Sequence, residues 1–255
     1  MKFYTGILIA ILACSSYGQT PELVLPVAHA KPINRSIFTP DDRLLITGGT
    51  DSVTKIWDVA SSRLYKSIPG YVADIAVSSD GKMLAIVGGF QVSFLDLTTF
   101  TVIKTVERED RNLTFSSGCF SPDGKTFYLT GWTNNHALVW AMKTTDFQKI
   151  QIYDHEDSQD AIHTVEGIAA SPDGKKLMVW IRKSGAVLIN LATRQVEKTI
   201  EPATELLDFA PDGSILARRT EINGEKKSVV YQLMSADAVT VNVSRCGHGK
   251  TAIQT

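Results

Sequence analysis

One short turn signature recurs five times along this 255-residue chain: Thr39-Pro40-Asp41-Asp42, Ser78-Ser79-Asp80-Gly81, Ser121-Pro122-Asp123-Gly124, Ser171-Pro172-Asp173-Gly174 and Ala210-Pro211-Asp212-Gly213. Proline presets φ for a turn, and Asp-Gly tolerates the positive φ that follows, so each copy marks a tight reversal between strands. A chain written in one repeated unit must bury each unit against its neighbours, which leaves few architectures open.

Each turn is followed by a β-rich segment: Leu44 to Thr47, Met83 to Val87, Thr126 to Thr130, Lys176 to Trp180 and Ser214 to Ala217. These segments are too short for average helices and too apolar for loops. A third segment then carries Trp57, Leu95, Trp140, Ile189 or Tyr231, and these markers are spaced by 38, 45, 49 and 42 residues. The spacing brackets the roughly 40 to 45 residues of a four-stranded propeller blade. Apolar stretches before the turns (Ile33 to Phe38, Val72 to Val77, Gly118 to Phe120, Gly167 to Ala170, Leu206 to Phe209) supply an inner strand. Outer strands are expected at Leu64 to Ile68, Thr101 to Val106, Phe147 to Tyr153, Val196 to Ile200 and Ala238 to Val243.

The pattern resembles the WD-repeat family, with Trp57-Asp58 as its signature dipeptide and His29 as its early histidine. The resemblance spans about residues 20 to 255 and implies an all-β propeller of WD-like four-stranded blades. Five repeats are expected, near 29–69, 70–107, 113–154, 163–201 and 204–244, within a domain running over 19–255. It also implies that His29, Asp51 and Trp57 form a buried hydrogen-bonded set. The family's usual Ser in that set is read at Arg35, and later repeats lose Trp, Asp or both, so the network is expected in blade one alone.

The two ends do not match a closed ring. Pro21 to Val27 resembles an isolated outer strand, and Gly247-His248 resembles the start of a sixth repeat whose first strand Ala252-Ile253 would enter before the sequence stops at Thr255. An incomplete or unclosed array is expected, truncated or completed by other chains, with sheet edges available for self-association.

Lys2 followed by Ile7 to Ala13 reads as a secretory signal peptide over 1–18, with cleavage after Gly18. That apolar core falls short of the roughly 20 residues needed to span a bilayer. Ile11-Leu12-Ala13-Cys14 is a poorer match to a lipoprotein signal, because Leu12 stands where a smaller residue is usual. The expected location is therefore secreted, periplasmic or at the cell envelope. The formal net charge is −1 with Lys and Arg scattered, so no electrostatic footprint for nucleic acid is present.

His29, His136, His155, His163 and His248 include no pair at helical zinc spacing. Asp154 to Asp160 is acidic enough for calcium, yet it lacks the spacing of a calcium loop and reads as a solvated insertion. Cys119 sits on an expected inner strand, Cys246 lies far from it, and no Gly-x-Ser-x-Gly turn occurs. Gly247-His248-Gly249 is explained by a repeat boundary. No metal, cofactor or catalytic residue is assigned.

Two connections between second and third strands could carry recognition. They hold Trp132, Asn134 and Asn135 in one case, and Arg182 and Lys183 in the other, where Trp and Arg suit interface hot spots. The chain is thus expected to be a non-catalytic scaffold that binds a protein or peptide. Two alternatives stand beside it. One is the N-terminal module of a larger exported protein, resembling bacterial chains that carry a caspase-like peptidase after such repeats; the other is a propeller hydrolase.

Overall fold

The computed structural model describes residues 28–134, 136–156, 165–182, 185–200, 204–223 and 226–234, with the backbone alone for 204–207 and 216–234. Among the described residues, nineteen strands fall into five antiparallel sheets. Blade one holds β1 (Ile33–Phe38), β2 (Leu44–Gly49), β3 (Val53–Asp58) and β4 (Arg63–Pro69). Blade two holds β5 (Asp74–Val77), β6 (Met83–Val87), β7 (Gln91–Asp96) and β8 (Thr101–Glu107). Blade three holds β9 (Thr114–Phe120), β10 (Thr126–Trp132), β11 (His136–Lys143) and β12 (Lys149–Glu156). Blade four holds β13 (Val165–Ala170), β14 (Lys176–Ile181), β15 (Gly185–Asn190) and β16 (Gln195–Ile200). Blade five shows β17 (Thr204–Phe209), β18 (Ile215–Asn223) and β19 (Lys226–Met234). Its expected outer strand at 238–243 lies outside the described residues, as do the signal segment, Pro21 to Val27, Cys246 and the start of a sixth repeat.

Every sheet is a meander in chain order, and successive blades touch through β1, β5, β9, β13 and β17. These are the inner strands. Among the described residues no strand of the first sheet pairs with one of the fifth, so the described blades do not form a closed ring.

The apolar runs of the second strands follow from burial on both faces, which removes the alternation of a half-solvated sheet. On β6, Leu84 and Ile86 join the core shared with blade one, while Ala85 and Val87 join the core shared with blade three. On β10, Phe127 and Leu129 face blade two and Tyr128 faces blade four. On β14, Leu177, Val179 and Ile181 face blade three, whereas Met178 and Trp180 face blade five. Each blade is thus a double-sided wedge, and the hydrophobic cores lie between blades rather than inside them. The inner strands show the same dependence on neighbours: β9, flanked by β5 and β13, is largely buried, whereas β1, packed among the described inner strands against β5, is largely exposed.

The recurring turns are built alike. Asp42, Gly81, Gly124, Gly174 and Gly213 hold φ of 55°, 70°, 68°, 69° and 83°, the left-handed conformation the fourth turn residue requires. In blades one to four a buried hydroxyl (Thr39, Ser78, Ser121, Ser171) donates to the turn Asp and accepts the N–H that opens the next strand. Ala210 lacks that hydroxyl, and there Ser214 donates to Asp212 instead.

The side-chain hydroxyl and then a backbone N–H hold Asp41, Asp80, Asp123 and Asp173 below their ordinary 3.8. A carboxylate whose folded value is depressed adds stability above its unfolded value, and loses it as pH falls through the folded one. Denaturation midpoints should therefore hold steady near neutrality and fall below about pH 4. Ser121→Ala, measured in urea across the same range, should lower the neutral midpoint and flatten the acid slope. An unaltered slope would contradict these turn contacts.

A second recurring device sits in the hairpins that lead into the outer strands. Ser62, Phe100, Phe147 and Arg194 occupy equivalent places with φ of 56°, 56°, 58° and 59°, unfavourable for a bulky side chain. Phe100 repays this by packing back on blade one, its ring 5.5 Å from Tyr65. Phe147 packs back on blade two, 4.8 Å from Phe94.

Pairing register corrects two of the markers. Trp57, Leu95 and Ile189 pair with Leu45, Leu84 and Leu177, each four residues beyond its turn Asp. In blade three that place pairs Phe127 with Met142, and in blade five Leu216 with Leu233. Trp140 and Tyr231 sit two residues earlier on the same strands, so the structural spacings become 38, 47, 47 and 44.

Candidate binding rim

In a four-stranded meander the connection from second to third strand and the link from outer strand to the next blade lie at one end of the sheet. The Asp turns and the hairpins before the outer strands lie at the other. Of the recognition candidates read from sequence, the described ones, Trp132, Asn134 and Arg182, fall on the first of these rims.

At blade one, His29 follows the chain entry, Asp51 sits in the β2–β3 turn and Trp57 is on β3. The Asp51 carboxylate lies 3.0 and 3.1 Å from His29 Nδ1, and it also accepts the Ala30 N–H at 2.8 Å. With Nδ1 donating, Nε2 is left to accept the Thr47 hydroxyl at 2.8 Å, and Thr47 Oγ1 accepts Trp57 Nε1–H at 2.9 Å. Burial raises the Asp51 carboxyl, but the His29 and Ala30 hydrogen bonds outweigh it, and the net shift is downward. The hydroxyl of this chain comes from Thr47, on the hidden face of β2, not from position 35. Arg35 points instead to blade two, where its Nε donates to Asp74 Oδ1 at 3.0 Å.

Asp74 links three blades. Its Oδ1 accepts Arg35 and the Ile75 N–H, while its Oδ2 accepts the Ser117 hydroxyl and the Gly118 N–H. The inner strands of blades one, two and three are therefore joined by a polar clasp as well as by their cores. Next to it, burial and the Asp74 charge push the half-buried Cys119 thiol well up, so its thiolate is disfavoured.

Trp132 is the last residue of β10, half-buried and paired with Ala137 and Thr114, not an exposed loop residue. Asn134 is exposed in the turn, and Asn135 lies outside the described residues. Beside Asn134, a shallow polar groove of about 390 Å³ is lined by Asn112, His136, Gln151 and Asp154 among others. His136 Nδ1 sits 2.7 Å from Asp154 Oδ1, and that hydrogen bond raises the imidazole pKa. Asp154, His155 and Glu156 close β12, and the rest of the acidic segment, with His163, is outside the described residues. Arg182 pairs with Glu166, which also accepts Trp180 Nε1–H at 2.8 Å; Lys183 is outside the described residues.

Sequence reading missed the most apolar part of this rim. Tyr71, in the link after blade one, and Phe90, in the β6–β7 turn, are 65% and 62% exposed. With Gly88, Gly89, Gln91 and Thr114 they line a groove of about 540 Å³. Gly88 is needed there, since a Cβ would lie 2.9 Å from the Tyr71 carbonyl oxygen. The Arg108 guanidinium stacks 3.9 Å from the Phe90 ring centroid and donates to the Leu113 carbonyl at 3.0 Å. The available signal was Gly88-Gly89-Phe90, an aromatic behind two glycines in a turn that joins strands already recognised.

Comparison with known proteins places these features. The model of the family described as WD domain, G-beta repeat, matches residues 20–58. A WD repeat-containing protein 26 homolog of Arabidopsis thaliana is 24% identical over 216 residues, which is 65% of this chain and 36% of that protein. GID complex subunit 7 of Schizosaccharomyces pombe is 24% identical over 187 residues, 68% of this chain and 36% of that one. The chain thus spans little more than a third of these relatives. Among solved structures, Kuenenia stuttgartiensis hydrazine synthase aligns with a TM-score of 0.66 at 19% identity, over 86% of this chain and 69% of that one. The β-propeller domain of Myceliophteria thermophila Cps50 (Swd1) aligns at 0.63 and 16%, over 83% and 70%. Structural likeness at such identity carries the fold alone. Together, the family match over residues 20–58, the WD-repeat relatives and the blade geometry show that this chain is similar to WD-repeat proteins and has a β-propeller fold.

Proposed function

We propose that this chain is a non-catalytic scaffold that binds proteins or peptides through the rim carrying Tyr71, Phe90 and Asn134. The observation that carries this reading is the pair of large aromatic side chains left more than half exposed on strand connections, where burial against a partner would be favourable. WD-repeat relatives support it, and one is by name a subunit of a complex. Affinity capture from extracts of the source cells should retain a defined set of proteins on the wild-type chain. Tyr71→Ser/Phe90→Ser, with unchanged thermal stability, should lose that set. Equal retention by both would move binding off this rim, and retention by neither would remove the scaffold reading.

Export belongs to the same proposal and rests on Lys2 with the apolar Ile7 to Ala13 stretch. Sequencing the mature N-terminus should find Gln19 first; finding Met1 would place the chain elsewhere. Service to an attached effector such as a caspase-like peptidase, and association through unclosed sheet edges, rest likewise on the sequence reading. The gene beyond codon 255 tests the effector, and the concentration dependence of the sedimentation coefficient tests association.

A further inference from the structure

We propose that the groove between Tyr71 and Phe90 takes an extended peptide segment in which an apolar side chain stands next to a single carboxylate. The proposal rests on the protein-binding reading above and names the partner chemistry at one part of that rim.

The apolar half of the site is the groove itself, walled by the Tyr71 and Phe90 rings with Thr114 beside its floor. Gly89 keeps it open. A Cβ there would meet only Thr114 Cγ2 at 3.6 Å and the Tyr71 ring at 3.8 Å, so a larger side chain would enter the groove without striking backbone.

The carboxylate half is Arg108. One face of its guanidinium lies on the Phe90 ring, and one N–H is spent on the Leu113 carbonyl, so its orientation is fixed before any ligand arrives. A guanidinium carries five N–H donors, and among the described residues no carboxylate pairs with this one. The fork matches a carboxylate in bidentate geometry, and the Phe90 ring it lies over also lines the apolar groove.

The neighbouring charges set the selectivity. Glu109 is taken up by Lys149 at 3.2 Å, and Asp110 accepts the Asn112 N–H, but Glu107 and Asp110 remain close in sequence to Arg108. They penalise an acidic run and a phosphate backbone, while a lone carboxylate can be seated by Arg108. The chain's formal charge of −1 argues in the same direction.

The test is selection of the full chain against a randomised hexapeptide display library, followed by titration of the best peptide. Enriched sequences should share an apolar residue adjacent to one Asp or Glu. Arg108→Gln and Gly89→Leu should each weaken that peptide at least about tenfold at unchanged thermal stability, the first by losing the bidentate bond. Asp110→Asn should leave binding equal or stronger, and replacing the peptide's acid by its amide should match the loss in Arg108→Gln. Enriched peptides without an acid, or titrations indifferent to both substitutions, would overturn the site. So would tighter binding of a ten-nucleotide thymidine strand that depends on Arg108, which would assign the groove to nucleic acid. If rim variants abolish protein capture while Arg108→Gln leaves it intact, the scaffold reading survives and this assignment alone falls.

Discussion

Replacing Phe94 by alanine is expected to lower stability by about 3–5 kcal/mol. Phe94 is fully buried on β7 and meets three rings at once: Phe120 at 6.5 Å, Phe127 at 5.1 Å and Phe147 at 4.8 Å. Phe120 and Phe127 belong to blade three, and so does Phe147, which is held at φ of 58° by this contact. The cavity left by Phe94→Ala is walled by two different sheets, neither of which can collapse into it without shifting the other. Urea denaturation should show a lower midpoint with little change in slope. A loss under about 1 kcal/mol, the range of surface changes, would mean that these rings do not meet as described.

Asp74→Ala should cost about 2–3 kcal/mol, even though only one residue of the clasp is altered. Its carboxylate accepts from the Arg35 Nε, a buried hydroxyl and two backbone N–H groups, and removing it takes this shared acceptor from all four donors. The Asp74 side chain is 17% exposed and Arg35 is 41% exposed, so the Arg35 end of the pair is screened by water. Arg35→Gln should accordingly cost under about 1 kcal/mol. The asymmetry is the informative result. Equal losses from the two substitutions would show that the ion pair alone, not the three-blade clasp, holds the inner strands together.

Much of this architecture could be read in the residues because its determinants are local. The Asp turns fix where strands reverse, and the strands they bracket were legible: β1 and β6 run over the same residues as the apolar stretches seen in sequence. Other elements extend further than their apolar residues, as β10 does into Gly131 and Trp132, because backbone pairing continues past the last side chain that looks buried. Register was less legible. Trp140 drew attention as an aromatic equivalent of Trp57, but β11 runs on to Lys143, and the ladder puts Met142 at that place. Both residues face blade two, so the choice between them is made by pairing, not by polarity.

The rim was the least legible part, for a physical reason. Tyr71, Phe90 and Arg108 come from three separate connections and meet only once blades one to three are stacked. Thr47 escaped notice similarly, since a lone threonine in a strand has no signature until Trp57 and His29 arrive from elsewhere. Arg182 was conspicuous in sequence, yet it is engaged by Glu166.

The central claim is that successive blades are held by cores lying between them. A double-mutant cycle pairing Phe94→Ala on blade two with Phe127→Ala on blade three tests it most directly, with Phe94→Ala and Leu188→Ala on blade four as the distant control. The adjacent pair should couple by about 0.5–3 kcal/mol, and the distant pair should add within about 0.5 kcal/mol. Strict additivity of Phe94 and Phe127 would contradict the stacked-blade structure.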